Sequence, residues 1–176
     1  MNKPFINILR NSFTIVSLAL AVSSSAFAAK IDLKKEINID ASRQAADLKN
    51  KIFSYIDDVV ITQGSLVIKA DLVQVVTQAT SEDKTYIAKG QPATFEQILE
   101  DGTPIYLQAN EIIYEPGKNT VIISGDAELR QEGSKVNSST ITYNFLTEQV
   151  QANSDSDSNA RVKTVLQPKA LDKKNK

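Results

Sequence analysis

The sequence predicts an all-β protein, and three observations carry that reading: period-two alternation, closely spaced turn residues, and a weak internal repeat. Ile37-Asn38-Ile39-Asp40 alternates apolar with polar residues at the start of the pattern. Leu66, Ile68 and Ala70 then fall on one face, with Val67 and Lys69 on the other. Ala93 and Phe95 alternate with Thr94 and Glu96, and Ile105, Leu107 and Ala109 with Tyr106, Gln108 and Asn110. Ile141, Tyr143 and Phe145 alternate with Thr142 and Asn144. Val, Ile, Thr, Tyr and Phe recur throughout, and these side chains suit a pleated, half-buried surface. Turn chemistry separates the runs at Gln63-Gly64-Ser65, Asp101-Gly102-Thr103-Pro104, Glu115-Pro116-Gly117-Lys118, Gly125-Asp126 and Glu132-Gly133-Ser134. Short antiparallel strands of this kind build a sandwich, a barrel or a jelly roll.

One segment resists the pattern. Ser42 to Lys49 holds good helix formers behind a possible Ser cap, so local propensity alone favours a helix. The repeat argues otherwise. An ungapped shift that lays Ile39 on Leu107 also lays Asp58 on Asp126, Ile61 on Leu129, Gln63 on Gln131, Ile68 on Val136 and Val73 on Ile141. In the second copy the ambiguous segment becomes Asn110 to Gly117, where Pro116 and Gly117 oppose a continuing helix. Both copies therefore read as strand, turn, strand. Two such units predict a stacked architecture, each burying its apolar face against its neighbour and leaving exposed strands at both ends.

The chain has 176 residues. Residues 1–28 read as a secretory signal peptide: Lys3 and Arg10 at a basic start, an apolar run from Phe13 to Val22, and small residues ending in Ala26-Phe27-Ala28. The apolar run is too short for a membrane span, which needs roughly 20 residues. Cleavage is expected between Ala28 and Ala29, releasing a soluble secreted protein. Residues 29–167 then form one domain, and residues 168–176 a basic tail without periodicity, expected to be disordered.

Composition narrows the chemistry. The chain has no Cys, so the fold does without disulfides, and its net charge of -1 gives no broad pull toward nucleic acid or anionic lipid surfaces. It also has no His, which removes the imidazole base and, with Cys, the ordinary zinc and copper ligands. No phosphate-cradling glycine loop and no G-x-S-x-G is present. Neither an enzyme, a metal site nor a cofactor is expected. Asp155-Ser156-Asp157-Ser158-Asn159 opens like a calcium loop, but Ala160 and Leu166 replace its glycine and closing glutamate. It reads as a solvated loop.

Several stretches, in order, resemble the periplasmic lipopolysaccharide-transport protein A (LptA) family, built on the OstA-like domain. They are Ile37 to Ser42, Asp58 to Gly64, Ile68 to Asp71, Gly90 to Phe95, Tyr114-Glu115, Ser124 to Ala127, Ile141 to Tyr143 and Arg161 to Leu166. Two positions depart from the family pattern, Asp57 in place of a glycine and Ser139 in place of an aspartate. The resemblance implies an elongated, open antiparallel β-jelly roll with an apolar lumen. It also implies a bridge that takes lipopolysaccharide from an inner-membrane transporter component of the same fold to the amino-terminal domain of the outer-membrane translocon, with end-to-end self-association.

On that resemblance the lipid path runs past Ile37, Ile39, Phe95 and Tyr114, with Leu107 added because it shares the repeat position of Ile39. For each the plain alternative is a packed core residue. Edge strands for partner addition are expected at Ile37, Ile39 and Ala41, and at Ile141, Tyr143, Val162 and Leu166. Lys34, Lys35 and Lys163 would guard ordinary edges in the same way. Rival functions are a monomeric carrier or chaperone of another lipid or lipoprotein, and a structural adaptor.

Overall fold

A computed structural model describes residues 34–78, 81–155 and 161–167. The leader with its Ala28-Ala29 cleavage point, the basic tail, and most of the stretch from Asp155 to Asn159 lie outside the described residues. Ten strands follow in order: β1 (Asn38–Asp40), β2 (Arg43–Asp47), β3 (Ile52–Gln63), β4 (Leu66–Thr77), β5 (Lys84–Ile98), β6 (Pro104–Glu115), β7 (Thr120–Gln131), β8 (Ser134–Asn144), β9 (Gln149–Asn153) and β10 (Lys163–Val165). A single helical turn, Pro116–Lys118, joins β6 to β7. All strands belong to one antiparallel sheet, ordered β1-β3-β4-β5-β6-β7-β8-β10, with β2 also on β3 and β9 also on β8. The sheet is open, since its two ends do not pair with each other.

Each long strand is kinked near its middle. Register slips between Ile56 and Val59, Lys69 and Leu72, Lys89 and Ala93, Gln108 and Glu111, and Ser124 and Ala127. Extra residues at these points bend the strand and re-aim its side chains. The backbone requirements are local and specific. Asp57, Asp58, Gly125 and Asp126 all take positive φ, at 63°, 50°, 76° and 53°. At Gly90 a Cβ would lie 2.9 Å from the backbone nitrogen of Ala93, a contact only glycine avoids. The aligned kinks divide the sheet into two half-sheets that fold onto one interior. One holds β1 and β10, the other β2 and β9.

The repeat is visible in three dimensions. The shift that lays Ile39 on Leu107 lays β3 on β7 and β4 on β8, bulges included. It also places Lys51 on Asn119, both in the left-handed conformation, at 54° and 53°. Ser42 to Lys49 forms strand and turn, as the repeat indicates and against its helix propensity. β2 pairs with β3 from Arg43↔Ile56 to Asp47↔Ile52, and the ladder outweighs a preference of a few tenths of a kcal/mol per residue, about what such propensities carry. The turn then closes on Asp47, whose carboxylate accepts from the backbone and side-chain nitrogens of Asn50 at 3.1 and 2.7 Å.

One expectation about the edges is corrected. The sequence places Ile141 and Tyr143 on an edge strand, yet β8 is covered on both sides. Ile141 pairs with Ile123 and Ala152, and Tyr143 with Val121 and Val150. The chain beyond Asn144 turns back and adds β9 to one half of β8, and β10 to the other. Those two short strands form the carboxy-terminal edge instead.

Candidate functional site: an apolar trough with two open ends

Apart from Gln63 on β3 and Gln97 on β5, the buried inward residues of the long strands are apolar or aromatic. Val59 and Ile61 on β3, Leu66, Ile68 and Val73 on β4, Ala93 and Phe95 on β5, Ile105, Leu107, Ile112 and Tyr114 on β6, and Val121 and Ile123 on β7 are all buried. Burying one such large side chain stabilises the fold by roughly 1.5–3 kcal/mol. Aromatic rings meet between the half-sheets. Phe95 stacks on Phe145 with centroids 5.7 Å apart, and Tyr114 approaches Phe95 and Phe145 edge-on at 6.2 and 5.8 Å. Tyr86 lies 5.9 Å from Tyr114, and Tyr143 packs edge-on against Phe145 at 5.4 Å.

A polar contact spans the half-sheets at the lip. Tyr114 Oη donates to Gln63 Oε1 at 2.7 Å, and Gln63 Nε2 donates to the carbonyl of Lys35 at 3.1 Å. The phenols are held neutral. Burial pushes Tyr114 and Tyr86 above the ordinary tyrosine value, each raised further by a neighbouring tyrosine. Burial, then the Glu148 and Asp101 carboxylates, pushes Tyr143 up to about 12. The trough is therefore apolar and uncharged.

Phe95 and Leu107 are partners in the β5–β6 ladder, and Tyr114 lies on the same interior. Ile37 and Ile39 are half-buried at the amino-terminal end, where Ile39 pairs with Ile61. All five expected lipid-path residues thus join one apolar interior. Phe95, Leu107 and Tyr114 have no exposed surface, so no water-sized space touches them. The trough is closed over by its own side chains, with the Gln63–Tyr114 and Phe95–Phe145 contacts joining the half-sheets. Sequence reading missed Tyr86, Phe145 and Gln63 as parts of this interior. The alternation through Ile141, Tyr143 and Phe145 was the available signal for Phe145.

The ends differ from the middle. β1 and β2 pair only with β3, and β9 and β10 only with β8, so their outer edges are unpaired among the described residues. β2 is exposed along its length, as is Ala41 between β1 and β2. At the other end Val150, Val162, Val165 and Leu166 are exposed, Leu166 at 75%. A hollow of about 670 Å³ lies elsewhere, lined by Asp71, Lys89, Pro92, Asn110 and Asp126 at the kinks. Those five residues are exposed, and the hollow follows the line of kinks rather than the aromatic centre of the trough.

Comparison with known proteins agrees with this architecture. Residues 38–149 match the family described as LptA/(LptD N-terminal domain) LPS transport protein. The chain is 39% identical over 166 residues to the lipopolysaccharide export system protein LptA of Haemophilus influenzae, covering 93% of this chain and 95% of that protein. Identity to the Escherichia coli K12 protein of the same name is 35% over 170 residues, covering 96% and 91%. The crystal structure of LptH, the LptA homologous periplasmic component of the lipopolysaccharide transport device of Pseudomonas aeruginosa, superposes with a TM-score of 0.71. That match has 26% identity and covers 78% of this chain and 99% of the other. The chain belongs to the LptA/LptD amino-terminal-domain family of lipopolysaccharide transport proteins.

Proposed function

We propose that this protein is a periplasmic bridge for lipopolysaccharide export, holding the lipid part of its cargo between the two half-sheets. The observation that carries the reading is an apolar, uncharged β-trough with unpaired strands at both ends, in a chain of this family. The physical problem is moving several acyl chains through water, where each exposed methylene costs about 0.8 kcal/mol. A trough replaces the bilayer for the tails while sugars and phosphates stay hydrated. Binding of this kind needs no catalytic group, and the protein acts as a carrier rather than an enzyme.

Ile37, Ile39, Phe95, Leu107 and Tyr114 line the proposed lipid path. A photo-crosslinking residue at Ile39 or Phe95 should trap lipopolysaccharide, and one at the exposed Lys69 should not. Equal labelling at Lys69 would refute a path through the trough. The ends supply the proposed contacts. β1 and β2 add to an inner-membrane transporter component of the same fold, and β9 and β10 receive the next protomer or the amino-terminal domain of the outer-membrane translocon. Deleting the chain beyond Asn153 removes β10 and should leave a folded monomer. Unchanged end-to-end assembly of that variant in light scattering would count against the bridge and favour a monomeric shuttle.

A further inference from the structure

We infer that Gln97, together with the phenol of Tyr143, is a polar subsite inside the trough that takes the ester, amide or hydroxyl group where an acyl chain joins its head. The inference rests on the transport reading above and narrows it to two side chains. Gln97 shares the inward face of β5 with Ala93 and Phe95 and is only 2% exposed. Neither its Nε2 nor its Oε1 meets a hydrogen-bond partner among the described residues, and the same is true of the buried Tyr143 Oη. Native proteins rarely leave a buried amide unmet at both atoms, and each such group calls for an explanation. Gln63 shows that this interior can satisfy a buried glutamine, which there accepts from Tyr114 and donates to Lys35. Gln97 is the glutamine left unanswered.

The orphan groups lie toward one lip. β5 runs through Gln97 directly into the turn closed by Leu99 and Thr103, whose backbone nitrogen of Leu99 donates to the Thr103 carbonyl at 2.9 Å. Asp101 of that turn is near enough to Tyr143 to act on its ionisation. Phe145 links the two positions, edge-on to Tyr143 and stacked on Phe95, two residues before Gln97. A tail lying on these rings therefore brings its linkage to the lip. There the Gln97 amide N–H and the Tyr143 O–H can donate to a carbonyl, and Gln97 Oε1 can accept from a hydroxyl or an amide N–H. A neutral acyl linkage supplies both the acceptor and the donor that these groups can meet, and neither Gln97 nor Tyr143 brings a positive charge for a free fatty acid's carboxylate. A few placed polar groups in an apolar pocket are what fix a ligand's orientation.

The test uses the purified protein, Q97L and Y143F, titrated with lipopolysaccharide, with palmitate, and with the hydrocarbon dye diphenylhexatriene. Each substitution should weaken lipopolysaccharide binding by about 3- to 10-fold, the loss of one hydrogen bond, and leave dye binding unchanged or tighter. Palmitate should bind more weakly than lipopolysaccharide and respond little to either change. Both variants should melt at or above the parental temperature. Y143F loses a single oxygen and carries the test independently of how Q97L folds. Unchanged lipopolysaccharide affinity means the groups make no contact with the cargo, and overturns the subsite while the transport reading stands. Equal losses for lipopolysaccharide and dye mean general damage to the trough, and overturn it too. An unmodified protein that binds the dye but no lipopolysaccharide removes both the subsite and the transport reading.

Discussion

The two copies of the repeat build the same strand unit, but only one of them is enclosed. In the second copy β6 runs unbroken from Pro104 to Glu115, between β5 and β7. In the first copy the same positions are split into β1 and β2 around Ala41-Ser42, and only β3 covers them. Leu107 is fully buried where its counterpart Ile39 is half-buried, and β2 is exposed throughout. The kinks differ as well. Gly125 supplies the left-handed residue in the second copy, whereas Asp57 does so in the first. Asp57 is held by Arg43, whose Nε and Nη2 donate to Oδ2 at 2.9 and 2.6 Å. Arg43 in turn occupies the place of Glu111, which pairs with Lys89 at 3.1 Å. Alternation fixes strand and face in both copies, while the neighbouring strand decides how much of that face is hidden.

The sharpest way to break this comparison is to truncate the paired positions. Leu107→Ala should cost about 2–5 kcal/mol in urea unfolding, and Ile39→Ala less than about 1.5 kcal/mol. Equal costs would mean the terminal copy is as enclosed as the inner one. The kinks come next. Gly125→Ala should destabilise by roughly 1–2 kcal/mol, because φ is positive and the new Cβ would meet Asn110 Nδ2 at 2.9 Å. Asp57→Gly should change stability by less than about 1 kcal/mol, since relief of the backbone offsets an exposed ion pair.

On the outer face, Glu128 takes the place that Val60 holds in the first copy. Arg130 and Lys135 both pair with its carboxylate, and Asn137 Nδ2 donates to it at 2.9 Å. Burial alone would lift its pKa, but Lys135, Asn137 and Arg130 outweigh that and hold it below the ordinary 4.5. Its contribution is therefore intact above 4.5 and lost as pH falls through the depressed value. Glu128→Gln should cost on the order of 1 kcal/mol near neutrality and flatten the acid limb of a denaturation profile. The smallest effect belongs to Tyr143. With its pKa raised from 10.0 to about 12, its share of stability is complete below 10.0 and disappears as pH climbs toward 12. Tyr143→Phe should leave stability at neutral pH nearly unchanged and soften the alkaline loss above 10.0. An unaltered alkaline limb would show that another tyrosine dominates it.

Much of this fold is legible in the sequence because the pleat forces a period of two. The alternation at Leu66 to Ala70 and Ile105 to Ala109 gives both strand and face. The repeat also corrects the helix propensity of Ser42 to Lys49. β5 was less readable. Its interior residues Tyr86 and Ala88 precede the register slip between Lys89 and Ala93, which resets the phase before Phe95. Inward glutamines were invisible for a simpler reason: a period-two reading assigns polar residues to water, and Gln63 and Gln97 break that rule inside the trough. The sequence puts Ile141 and Tyr143 at an edge because strand pattern says nothing about which side is covered. That depended on β9 and β10 folding back onto β8.

The self-closure of Phe95, Leu107 and Tyr114 bears on how tightly such a conduit can grip. With the trough closed, these three side chains are withdrawn from water, whereas Val150, Val165 and Leu166 at the carboxy-terminal edge are not. On the proposed lipid path, each tail-to-wall contact would replace a wall-to-wall contact already made. Net retention is then the small difference between two similar packings. On the proposed bridge reading, a shallow well of that kind would suit relay between subunits, where a deep one would stall it.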